Sequence, residues 1–62
     1  MSAAPQLSSV ATSLDELTER VTAIADELAG TERGDVAATL YEVERALLTA
    51  SRRLEKVVDD LR

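Results

Sequence analysis

The chain reads as an all-α protein: an antiparallel helical hairpin of two long helices and a short glycine-containing turn, dimerising into a four-helix bundle. Three observations predict it. Large aliphatic residues recur at alternating spacings of three and four in both halves of the chain, the period of a helix with one apolar stripe. Both glycines fall in one short interruption, Gly30 to Gly34. The two aliphatic rows also mirror each other in number about that interruption. A single domain spanning 1–62 follows, with helices over about 6–29 and 36–61 and a turn over 30–35.

The first helix opens near Pro5, the only proline, because a first turn tolerates a residue without an N–H. Ser13-x-x-Glu16 resembles a capping box and competes for the start. Leu7 and Val10 keep phase with everything that follows, so the earlier start is preferred and Ser13 becomes a mid-helix residue. The row then runs Leu7, Val10, Leu14, Leu17, Val21, Ile24, Leu28. In the break, Gly30 suits a left-handed residue ending the helix, and Asp35 suits an N-cap. The second row runs Val36, Leu40, Val43, Leu47, Ala50, Leu54, Val57, Leu61. Strands would need a period of two, and neither half has one.

Folding the chain at Glu32 brings together residues whose numbers total 64: Leu28 with Val36, Ile24 with Leu40, and so on down to Leu7 with Val57. The two rows therefore form the expected intrachain seam, joined by a short helix–helix connection. Glu19 and Arg45 share that total and are expected to pair across the back, an exposed contact worth about 0–1 kcal/mol.

Size then argues for association. A chain of 62 residues buries only about 60% of the surface its unfolded form exposes. Small domains recover stability from disulfides, metals or partners. Cysteine and histidine are both absent, which removes disulfides, thiol nucleophiles, thiolate or imidazole metal sites and the commonest general base. A partner chain remains. With the aliphatic rows as the seam, one flank is small or apolar: Ala11, Thr18, Thr22 and Ala25 on the first helix, Ala37, Tyr41, Leu48 and Val58 on the second. That flank is the expected self-association face, and a second copy in a two-fold dimer is its simplest occupant.

Other function classes are weakly supported. Adjacent carboxylates such as Asp15-Glu16, Asp26-Glu27 and Asp59-Asp60 diverge around a helix and read as solubilising charge rather than catalysis. The glycines have neither the spacing nor the preceding strand of a phosphate loop, and no cofactor or small-molecule substrate is expected. No apolar run approaches the roughly 20 residues of a membrane span. The opening Met1-Ser2-Ala3-Ala4-Pro5-Gln6 lacks a basic segment followed by an apolar one, so the expectation is a cytoplasmic protein. In outline, two such hairpins resemble ROP-like RNA-binding four-helix bundles. A net charge of −5 and a lack of Phe and Trp argue against nucleic acid, since Arg45, Arg52, Arg53 and Lys56 have acids nearby. The expected function is a non-enzymatic interaction module, a regulator, adaptor or accessory subunit. The alternative is an acidic partner in a hetero-complex, anti-regulator or antitoxin-like.

Overall fold

The computed structural model describes residues 3–62. Two helices, α1 (Ala3–Ala29) and α2 (Gly34–Leu61), pack side by side along their whole length, giving an all-α helical hairpin. Its Cα envelope measures 49 × 14 × 9 Å. Removing one Cα radius of about 2.3 Å from each side of the 14 Å width leaves at most about 9 Å between the helix axes.

α1 is already helical at Ala3, ahead of the expected start near Gln6. Pro5 sits within the first turn, where its missing N–H costs no hydrogen bond. The helix runs unbroken through Ser13, so the capping-box pattern there is not used. The turn differs from expectation in two respects. No residue in it has a positive φ, so Gly30 does not act as a left-handed terminator. The residue capping α2 is Arg33, without a side-chain cap, and Asp35 lies inside the first turn, where its charge complements the helix dipole. Thr31 organises the turn instead. Its N–H and its hydroxyl both donate to the Leu28 carbonyl, at 3.1 and 2.7 Å. The same hydroxyl accepts from the Arg33 N–H at 3.1 Å, and the Thr31 carbonyl accepts from the Gly34 N–H at 3.3 Å.

The largest departure concerns the seam. The buried residues are Ala11, Thr18 and Ala25 on α1 and Ala37, Ser51 and Val58 on α2. These repeat at seven residues, with Glu44 completing the α2 row half-buried. Of the expected seam, Leu7, Leu14, Val21, Leu28, Val36, Leu40, Leu47, Ala50 and Leu54 are half-buried along its edge. Val10, Leu17, Ile24, Val43, Val57 and Leu61 are exposed. The hairpin thus closes one residue further round each helix than the aliphatic spacing suggests. The physical reason is the width of the apolar band. Each helix carries three apolar or small rows per heptad, the pattern of a helix with more than one packed neighbour. Two helices alone can cover only part of such a band. Closing on the small row lets the backbones approach while the half-buried leucines lie along the edge of the contact.

Register shifts with it. Asp15 pairs with Ser51, Thr22 with Glu44 and Asp26 with Tyr41, giving totals of 66 or 67 rather than 64. The chain therefore folds about residue 33. Glu19 and Arg45 form no ion pair among the described residues, where the close pairs are Arg33–Asp35, Lys56–Asp60 and Arg62–Asp59. All three are exposed and worth little.

Candidate interaction surface

The two broad sides of the hairpin are chemically unlike, and helix geometry shows why. A residue one position before a buried one lies about 100° back around the helix, while a residue four positions after it lies about 40° forward. Because α1 and α2 are antiparallel, equal rotations on the two helices turn toward the same side. Val10, Leu17 and Ile24 precede Ala11, Thr18 and Ala25; Val36, Val43, Ala50 and Val57 precede Ala37, Glu44, Ser51 and Val58. All seven therefore share one side. Asp15 and Thr22 follow the α1 row by four, as Tyr41, Leu48 and Glu55 follow the α2 row, and they share the other.

The second side is closed by polar contacts between the helices. The Ser51 hydroxyl donates to Asp15 Oδ1 at 2.6 Å. The Thr22 hydroxyl is within hydrogen-bonding distance of Glu44 Oε2 and of the Thr18 carbonyl. The Tyr41 hydroxyl donates to Asp26 Oδ1 at 2.5 Å. The hydrogen bond to Asp26 holds the Tyr41 phenol above its ordinary value of 10.0. Partial desolvation and the charges of Asp26 and Glu44 push it the same way. Thr18, buried mid-seam, donates to the Leu14 carbonyl at 2.7 Å. No buried side-chain polar atom lacks a partner among the described residues, so this side is chemically complete.

The first side has no such closure. Leu17 and Ile24 remain 51% and 50% exposed, while Ala25, the next residue along, is fully buried at 0%. Val10, Val43, Val57 and Leu61 complete an exposed aliphatic row, and Leu7, Leu14, Leu40, Leu47 and Leu54 border it half-buried. It runs nearly the full 49 Å of the molecule. It is aliphatic surface that the hairpin itself leaves uncovered.

The expected self-association face is corrected accordingly. Ala11, Thr18, Ala25, Ala37 and Val58 are buried inside the hairpin and offer nothing to a partner. Thr22 and Tyr41 are occupied by Glu44 and Asp26. Only Leu48, 40% exposed, remains open there. Of the inter-helix partners, Glu44 and Ser51 fall on the seven-residue row of Ala37 and Val58, and Asp15 and Thr22 lie four residues after Ala11 and Thr18, spacings that are visible in the sequence.

Overall area follows from the shape. The chain exposes 4588 Å², whereas a compact monomer of this mass exposes about 3,900 Å². The excess is about 700 Å², as expected of an elongated pair of helices 49 Å long.

Among the described residues no group of three or more His, Cys, Asp or Glu could hold a metal ion, and no helix is long and apolar enough to cross a membrane. No family model matches the chain, and no curated protein or solved structure shows significant similarity to it.

Proposed function

We propose that this chain is a non-enzymatic protein–protein interaction module that self-associates through its aliphatic side, two hairpins forming a four-helix bundle. In that form it serves as a small regulator, adaptor or accessory subunit. The observation that carries the reading is the exposed row Val10, Leu17, Ile24, Val43 and Val57, beside a seam built mainly from alanine, threonine and serine.

Such a seam contributes little hydrophobic free energy. Its buried apolar residues are Ala11, Ala25, Ala37 and Val58, and no large side chain is fully enclosed. The aliphatic residues that would supply most of the stabilisation are the ones facing outward. Covering that side in each of two copies would bury the exposed aliphatic rows of both helices together, and a stable, specific interface needs about 1,200–2,000 Å² in total. A second copy is the occupant best matched to that need, because the side is self-complementary in length and apolar along both helices.

The test is native mass across a dilution series by sedimentation equilibrium, with helicity followed by circular dichroism. A concentration-dependent dimer, losing helicity as it dissociates, is the expected result. A chain that stays monomeric at every concentration overturns self-association. If that monomer becomes helical only on adding a different protein, the hetero-complex reading replaces it.

A further inference from the structure

Each helix turns three rows toward the interior of an assembly, and their angles differ. The buried small row faces the other helix of the same hairpin. Measured around the helix from that row, a residue three positions after a buried one lies about 60° back, and a residue one position before it lies about 100° back. The first set is a leucine row, Leu14, Val21 and Leu28 on α1 with Leu40, Leu47 and Leu54 on α2, all half-buried. The second is the exposed row of Leu17, Ile24, Val43 and Val57. We infer that assembly stops at two copies, with the leucine rows of four helices meeting on one central axis and the second row making the helix-to-helix contact between copies. The inference rests on the self-association reading and deepens it by fixing the number of copies and the part each row plays.

The angles carry the argument. In a four-helix bundle of square cross-section each helix has two neighbours at right angles, and the bundle axis lies between them. With the small row on the neighbour within the hairpin, the row about 100° back falls on the second neighbour and the leucine row falls toward the axis. Three rows in seven are the apolar face of a core-facing bundle helix. These angles belong to each helix and hold for either direction of the second copy.

A larger ring is disfavoured by the next row. Three hairpins would make a ring of six helices, whose second neighbour lies about 120° back, so the row about 160° back would enter the contact. That row carries Arg20 and Glu27 on α1 and Arg53 and Asp60 on α2, all exposed. Stacking of further copies on the opposite broad side is disfavoured too, since Asp15, Ser51, Asp26 and Tyr41 are satisfied there within the hairpin. One apolar side per copy gives a closed pair rather than an open array.

Two alanines on α2 separate these rows experimentally. Ala50 belongs to the row about 100° back and Ala46 to the row about 160° back. Ala50 is half-buried and Ala46 exposed, so the hairpin itself has room for a glutamate at either place. Ala50→Glu is expected to weaken dimerisation more than about 100-fold, because it sets a charge in the contact. Ala46→Glu should change Kd less than about 5-fold. Equal losses in the two variants, or a larger loss for Ala46→Glu, overturn the assignment of the rows. Leu47→Ala is expected to weaken dimerisation about 10- to 100-fold, and an unchanged Kd removes the leucine row from the axis. Sedimentation equilibrium on the unaltered chain is expected to show a largest species of twice 6.7 kDa. A particle of three or more chains overturns closure at two copies while leaving self-association intact; a chain that is monomeric throughout overturns self-association itself.

Discussion

Truncating Leu17 separates the two sides of the hairpin quantitatively. Full burial of a leucine side chain is worth about 1.5–3 kcal/mol. Leu17 is 51% exposed in the hairpin, so roughly half of that value, about 1 kcal/mol, remains to be gained when a second copy covers it. Each dimer contains two such residues. Leu17→Ala therefore removes about 2 kcal/mol of association free energy, about 30-fold in Kd. Leu48 supplies the control. It is 40% exposed, similar in chemistry and on a helix of the same hairpin, but it lies on the side closed by the Asp15, Glu44 and Asp26 contacts. Leu48→Ala should leave Kd unchanged. Sedimentation equilibrium on wild type and both variants, in one buffer, makes the comparison. A normal Kd for Leu17→Ala with a weakened one for Leu48→Ala would place the interface on the wrong side.

Three further outcomes are expected. Ala25 is fully buried in the seam, so Ala25→Leu overpacks it and should cost about 1–3 kcal/mol in urea denaturation, more than Ile24→Leu beside it. Gly30 has no positive φ, and a methyl added there meets nothing within 4 Å. Gly30→Ala should accordingly raise the melting midpoint, by about 0.4–1 kcal/mol of stability. Tyr41, the only aromatic residue, reports its own titration by ultraviolet absorbance. Its hydrogen bond to Asp26 requires the protonated phenol, and the folded value is raised above 10.0. That contribution is complete below about pH 10 and is lost as pH rises through the folded value. In Asp26→Asn the midpoint should fall back toward 10; an unchanged midpoint means that the carboxylate does not hold the phenol.

Much of the architecture was legible before any coordinates. Spacings of three and four from Leu7 to Leu61 require helices, since no other element brings those residues to one stripe. Gly30 to Gly34 is the only interruption, so the place of the turn was legible too, although Thr31 and not a left-handed glycine holds it. The site was legible only as a choice. Both the aliphatic row and the small row were visible, each repeating along both helices, and large side chains were the natural candidates for the intrachain contact. The opposite assignment prevails because Ala11, Thr18 and Ala25 lie between the leucine row and the polar residues able to bridge the helices. Closing there satisfies Ser51, Thr22 and Tyr41 with carboxylates.

Heptad periodicity, charge and the absence of Cys and His are one-dimensional properties, and they determine that this protein is a helical hairpin with more apolar surface than two helices can cover. Which strip of that surface lies inward depends on how closely the backbones approach and on which hydroxyl meets which carboxylate across the pair. Those are distances between residues 15 to 36 positions apart. A shift of one residue around each helix leaves the sequence pattern almost unchanged and exchanges the buried row for the exposed one, so only the packed structure distinguishes them.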